Sequence, residues 1–254
     1  MEESIDFSSF AIRKIGVIQS ETVLRLDEFV LHTALYQIAG DRALLLGALN
    51  KSELAFFQKY QGGFGGVGLA IQGPGDRRPL RIFARCTISR ISEMPQRDDL
   101  SLFETELKNR PADLESCLKD YASILACLKE DYEKFKGQSI KMVSASPKLA
   151  GLANRAELFA GDRALEAAVF LVAVDRIELV VRVEAEAVPR GSDCAIKLYS
   201  PTNQFFFLKG KAAEVTETSS GVCQVVADIE FCPDLVEILA DHRARARAQV
   251  PTAS

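Results

Sequence analysis

Tryptophan is absent from the 254-residue chain, histidine occurs twice and methionine three times. His32 and His242 are too few and too far apart for an imidazole metal centre. The six cysteines (Cys86, Cys117, Cys127, Cys194, Cys223, Cys232) include no C-x-x-C pair. Reduced, buried thiols are therefore expected instead of a zinc site or a disulfide framework. Charge of one sign is also scarce. With 31 Lys+Arg against 35 Asp+Glu the net charge is −4, which argues against a general nucleic-acid binder or a binder of anionic membranes. No run of 18 apolar residues supplies a membrane span, and Met1–Asp6 lacks the basic and apolar segments of a secretory signal. A cytoplasmic protein is expected. No Ser or Cys stands in a nucleophile-elbow setting. Gly63-Phe64-Gly65-Gly66-Val67-Gly68 spells G-x-G-x-x-G, but a helix is predicted before it and a short strand, Leu69–Ile71, after it, the reverse of a dinucleotide fingerprint. It reads as a flexible turn. Neither a cofactor nor an enzymatic activity is expected from this inventory.

What the chain does contain is self-similarity. Ala39-Gly40-Asp41-Arg42-Ala43-Leu44 returns unchanged as Ala160–Leu165, 121 residues on, and Leu114, Leu118 and Asp120 return at the same offset as Leu235, Leu239 and Asp241. Two modules follow, each long enough to bury a core of its own. Period-two alternation dominates both. In the first, Leu80, Ile82, Ala84, Cys86 and Ile88 alternate with polar residues, Val30, His32, Ala34, Tyr36 and Ile38 read as another inward set, and Leu44–Leu49 as a strand buried on both faces. A helix is predicted at 51–60, where Asn50 and Glu53 have capping-box spacing. In the second, the runs are Ala167–Val174, Ile177–Ala187, Cys194–Tyr199, Phe205–Val215 and Val222–Phe231. The predicted fold class is mainly β (α+β): two small antiparallel β-barrels from an internal duplication, with a sandwich as the alternative. A C-terminal helix closes each, opened by Pro111 or Pro233 and by acidic first turns.

The first of these helices, 111–137, is long. Leu114, Leu118, Tyr121, Leu125, Leu128, Tyr132 and Phe135 form an unbroken heptad seam of about 33 Å. Cys117 and Ile124 broaden it into the stripe of a helix packed on a globular body, while the seam itself would also serve a homo-oligomer. The domains are then 1–137, a linker at 138–151 and 152–254. Arg243, Arg245 and Arg247 close the last helix, where basic charge suits the macrodipole.

One cluster looks like ligand chemistry. Asp76-Arg77-Arg78-Pro79-Leu80-Arg81 puts three guanidinium groups at a turn leading into a strand, the donor type that recognises phosphate or carboxylate. Arg77, Arg78 and Arg81 are the candidate ligand-binding residues.

Residues 155–242 resemble the PilZ family, the small β-barrels of bacterial cyclic di-GMP receptors. The likeness is carried by Gly191–Tyr199, Phe205–Val215 and Val225–Phe231 ahead of Pro233–Leu239: a Gly-led strand, an apolar strand ending in Gly and small residues, a strand closing on Phe, then a helix. The resemblance implies a non-enzymatic regulator in cyclic di-GMP signalling or motility control, with a protein partner and cyclic di-GMP as ligand. The family's R-x-x-x-R and D-x-S-x-x-G motifs are missing from the second module, which offers Arg155 and Arg163 instead. In the first module Arg77 and Arg81 fit R-x-x-x-R, and Asp99–Glu104 fits D-x-S-x-x-G up to its last residue. The alternatives are a ligand-free interaction scaffold of the same fold and a split-barrel flavin-type enzyme.

Overall fold

The computed structural model describes residues 4–73, 75–95, 97–142, 151–202, 204–219 and 221–248. The chain divides into two compact units, Met1–Ser123 and Ile124–Ser254. The first contains β1 (Ile5–Asp6), α1 (Ser9–Ile15), β2 (Val23–Leu26), β3 (Phe29–Ala39), β4 (Arg42–Gly47), α2 (Lys51–Phe57), β5 (Phe64–Ile71), β6 (Leu80–Met94), β7 (Arg97–Leu107) and the start of α3 (Ala112–Phe135). The second contains the rest of α3, then β8 (Ser139–Lys141), β9 (Ala156–Ala160), β10 (Arg163–Ala173), β11 (Arg176–Val181), β12 (Asp193–Tyr199), β13 (Phe205–Ser219), β14 (Val222–Ile229) and α4 (Pro233–Ala248).

Each unit holds a closed six-stranded antiparallel barrel. Around the first, the order is β3-β2-β5-β6-β7-β4, closed by β3–β4, and β1 adds to the edge of β3. Around the second it is β10-β9-β12-β13-β14-β11, closed by β10–β11, with β8 added to β10. In chain order the two rings have the same connectivity, so the barrel reading and the duplication of topology hold.

The hexapeptide that announced the repeat does not occupy equivalent places. Asp41 lies in the β3–β4 turn and Asp162 in the β9–β10 turn, one hairpin apart in the shared order. By strand order Asp41 corresponds to Asp175, and Ala173-Val174-Asp175-Arg176 keeps the Ala, Asp and Arg of Ala39–Arg42. The identical words encode identical turn chemistry. Gly40 and Gly161 take φ 56° and 57° at the first position of two-residue hairpin loops, which glycine enters without steric cost. The 121-residue offset is real only at the closing helices, because several connections are longer in the first unit, among them β4–β5, which holds α2 and a following 3-10 turn where the second unit has only the 3-10 turn Ala185–Ala187.

Other expectations also change. The predicted glycine turn is strand β5, running from Phe64 to Ile71 in full register with β6. β7 and β9 were not foreseen. The inward face of β7 is Ser101, Phe103, Thr105 and Leu107, all buried, while Leu100 and Leu102 sit half-buried outside. Hydrophobicity therefore alternates poorly. Thr105 satisfies its hydroxyl by donating to the Ala43 carbonyl at 2.9 Å. The alternation in β3 has the opposite phase to that expected: Thr33 and Leu35 are buried, Val30 and Tyr36 are exposed, and a bulge between Leu35 and Gln37 returns Ile38 to the core. In β6 the inward set Ile82, Ala84, Cys86 and Ile88 is as predicted. The capping box of α2 is present, with the Asn50 side chain accepting from Ser52 and Glu53 and the Glu53 carboxylate accepting from the Asn50 N–H.

The heptad seam of α3 is divided between two cores. Leu114, Leu118 and Tyr121 are buried in the first unit, where the Tyr121 ring lies 6.3 Å from Phe10. Leu128, Tyr132 and Phe135 pack on the core of the second, Tyr132 edge-on to Phe231 at 5.5 Å. Ile124 is left exposed between the two groups. The two compact units divide within this helix, between Ser123 and Ile124. The predicted linker 138–151 contributes β8, and its residues 143–150 lie outside the described residues, as does the tail beyond 248. At the end of α4, Arg245 pairs with Asp241 at 3.7 Å and the Arg243 guanidinium stacks 4.0 Å from the Phe135 ring centre.

All six cysteines are free thiols. Burial pushes the thiols of Cys86, Cys194 and Cys232 up to about 11, while Cys127 is exposed on α3. Because the thiolate is the nucleophile, iodoacetamide at pH 8 is expected to label Cys127 first and to spare those three until the fold opens. Peptide mapping by mass spectrometry checks the order, and early labelling of Cys232 would contradict this burial.

Candidate binding face of the first barrel

The arginine cluster singled out in the sequence is only partly assembled. Arg77 and Arg78 are exposed in the bend before β6. Arg81, on β6, faces outward and ion-pairs with Glu21 at 2.7 Å. Asp99, the start of the D-x-S-x-x-G-like segment, sits on β7 and is bound by Arg97 at 2.8 Å, which holds its carboxyl below the usual carboxylate range.

A denser arrangement lies further along the same outward face. The register pairs Arg25 of β2 with Gly66 of β5, and Gly66 with Arg85 of β6. The Lys108 N–H then donates to the Arg85 carbonyl at 2.8 Å. Arg25, Gly66, Arg85 and Lys108 therefore form one row across the sheet. Directly cross-strand residues share a face, so the three cations project from the same surface. In the neighbouring row Val23, Gly68 and Phe83 are aligned. A β-carbon on Gly66 would overlap the tip of the Phe83 ring, so the glycine is what lets that ring lie down between the two arginines. Phe83 stays 53% and Phe64 78% exposed. Together with Asp27, at a left-handed turn position (φ 50°), they line a cleft of about 640 Å³. Among the described residues Arg25, Arg85 and Asp27 have no ion-pair partner; Lys108 pairs with Glu106 at 3.7 Å. Sequence reasoning missed this row because its members are scattered over three strands and the bend after β7 and meet only through register.

The equivalent face of the second barrel has different chemistry. Glu157, Lys197 and Phe207 form one row, Phe159, Ala195 and Lys209 the next. Phe207 thus occupies the place of Phe83, also 53% exposed, and Lys209 that of Arg85. Here the surroundings are aromatic: Phe205 lies 5.6 Å and Phe159 6.1 Å from Phe207, and Tyr199 6.2 Å from Phe205. The Tyr199 hydroxyl donates to Glu157, and this bond, with Lys197 beside it, holds the Glu157 carboxyl below its usual range. Arg155 lies 3.7 Å from Glu166 and over the Tyr199 ring at 5.1 Å, and Arg163 begins β10. The two are not brought together into a shared site by any contact among the described residues.

Among the described residues, no group of three metal-binding side chains comes together, and no helix is long and apolar enough to cross a membrane. No known family profile and no characterised protein matches the sequence. Solved structures do match along most of the chain. One is the Borreliella burgdorferi PlzA protein in complex with c-di-GMP, at 12% identity, covering 94% of this chain and 93% of that one, with a TM-score of 0.44. Another is the Bacillus subtilis inhibitor of motility MotI/DgrA, at 10% identity, 91% and 98% coverage and a TM-score of 0.33. A third is YcgR from Escherichia coli in complex with c-di-GMP, at 11% identity, 96% and 91% coverage and a TM-score of 0.32. In the second unit the order implied by the PilZ resemblance is present, with Gly191 leading β12, Gly210 and Ala212 in β13, then β14 and α4. The chain carries two closed six-stranded antiparallel barrels of the same strand order.

Proposed function

We propose that the protein is a non-enzymatic regulator of the cyclic di-GMP signalling or motility-control class, acting through recognition on the outer faces of its barrels. The observation that supports this is the matched placement of Phe83 beside Arg85 and Phe207 beside Lys209 on topologically equivalent strands. An exposed ring next to a cation is recognition chemistry, and it recurs on both barrels. Cyclic di-GMP is the ligand to test, and Arg77, Arg78 and Arg81 are the donors proposed for its phosphates. Titration calorimetry of the full chain reads this directly. Binding that falls at least tenfold in Arg77→Ala plus Arg81→Ala supports the assignment, and binding that survives places the nucleotide elsewhere.

The aromatic cluster of Phe159, Tyr199, Phe205 and Phe207 favours a second reading, a ligand-free scaffold whose second barrel docks a protein partner. Phe205 and Phe207 are exposed, backed by the half-buried Phe159 and the buried Tyr199, and exposed rings on such a base are typical anchors of protein interfaces. A chain that binds no cyclic nucleotide at all leaves the scaffold in front.

A further inference from the structure

We propose that the cleft at the start of β10 and the end of β11 docks a short amphipathic helix of a protein partner, one that brings an aromatic side chain to the alanine-lined floor and carboxylates to Arg163 and Arg182. It goes beyond the signalling reading, because it needs neither a nucleotide nor the aromatic cluster of the same barrel.

The first barrel supplies the template. Register aligns the two rings residue by residue: Thr33 faces Gly47 where Ala167 faces Val181, and the bulges that follow sit at Leu35–Gln37 and Val169–Leu171. The added strands coincide too, since the Phe7 N–H donates to the Tyr36 carbonyl and the Met142 N–H to that of Phe170, in each case at the bulged residue. Counting back from Thr33 and Ala167 pairs Phe29 with Arg163, and counting on from Gly47 and Val181 pairs Ala48 with Arg182. In the first barrel the chain itself covers the start of β3. Phe56 and Phe57 of α2 and Tyr60 of the turn after it pack on Phe29, with ring centres 5.5, 5.5 and 6.2 Å away.

The second barrel has no such cover. The counterpart of α2 is the 3-10 turn Ala185–Ala187, and the start of β10 opens into a cleft of about 760 Å³. That volume lies within the range of about 300–1,000 Å³ usual for binding pockets. Ala164, Ala167 and Ala168 of β10 form its floor, with Val180 of β11 beside them. Side chains this small leave depth for a large one from outside, whereas in the first barrel the strand brings a ring of its own. β11 begins to pair only at Ala167, so Arg163–Glu166 have a neighbouring strand, β9, on one side alone.

Charge selects the partner. Where the first barrel has Phe29 and Ala48 the second has Arg163 and Arg182, and neither arginine has an ion-pair partner among the described residues. Of the acids close in sequence, Asp162 belongs to the β9–β10 turn and Glu166 is held by Arg155 at 3.7 Å. Two unmatched guanidinium groups at one cleft favour carboxylates on the incoming surface. An aromatic anchor flanked by acids on one face of a helix meets both demands.

A synthetic probe tests the proposal. The peptide of residues 50–61, which is α2 with its cap and following turn, is made with Lys51→Glu and Lys59→Glu, labelled with fluorescein, and hydrocarbon-stapled because so short a helix is marginal in water. In anisotropy titrations with the full chain it is expected to bind at least tenfold more tightly than the stapled peptide that keeps both lysines, and more weakly at higher salt. Arg182→Glu in the protein should remove that preference. Ala164→Trp, at an exposed position, fills the cleft without touching a charge and should weaken binding at least tenfold. Arg182 lies just beyond β11, so its variant remains informative if Ala164→Trp fails to fold. An unstapled acidic peptide carrying Ala55→Pro cannot hold the helix and should not bind; undiminished binding would mean that a strand adds to β10 and would overturn the helix. No binding of the acidic peptide, equal affinity for both stapled peptides, or indifference to the Arg182 and Ala164 changes would each overturn the site. Peptide binding without cyclic di-GMP binding would end the signalling reading and leave this site standing, and the reverse would remove this site alone.

Discussion

Replacing Phe103 with alanine is expected to cost the first unit about 3–5 kcal/mol, the usual loss for a fully buried phenylalanine. The ring has no exposed surface and lies across from Gly47, where a β-carbon would stand 2.8 Å from it. A loss of that size is a large share of the 5–15 kcal/mol that holds an ordinary domain together. Since the chain has two units, a single two-state fit is inappropriate, and hydrogen exchange read by mass spectrometry is the suitable measurement. Amides of β2–β7 should lose protection, and those of β9–β14 should keep theirs. A change below about 1 kcal/mol, or equal losses in both units, would contradict the described core.

Leu118→Ala is the second large effect, and it separates two uses of the α3 seam. Leu118 is 6% exposed beside Leu114 and Tyr121 in the first core, so the truncation should cost about 2–5 kcal/mol there. Leu125, half-buried, should cost less than half as much on the same change. If the seam serves the protein's own cores, Leu118→Ala lowers the thermal midpoint and leaves the sedimentation mass as it was. A mass that drops before unfolding begins would show that a second copy of the chain shares the helix.

Period and turn chemistry were legible in the residues themselves. Period-two alternation in Ile82–Ile88 and Cys223–Ile229, the capping box of Asn50 and Glu53, the acidic helix starts after Pro111 and Pro233, and the Gly-Asp hairpins all depend on neighbours within a few positions. From them came two antiparallel barrels, each followed by a helix. The long seam of α3 was legible too, because a helix repeats its own face.

Tertiary structure decided everything that depends on which strand lies beside which. In β3 the alternation announced a strand without its phase, and the bulge at Leu35–Gln37 settled which residues face the core. In β7 the buried Ser101 and Thr105 and the half-buried Leu100 and Leu102 blurred the signal, since a hydroxyl that finds a carbonyl can be buried at little cost. The Gly63–Gly68 run looked like a turn because glycine permits any backbone conformation, and its presence in a strand is explained by close approaches: the Arg25 carbonyl to Gly65, the Phe83 ring to Gly66 and the Val23 side chain to Gly68. The row of Arg25, Gly66, Arg85 and Lys108 spans most of the first module in sequence and, in space, three neighbouring strands and the bend after β7. Local propensity specifies elements one at a time, but a binding face on a barrel is a property of register, which exists only once the ring has closed.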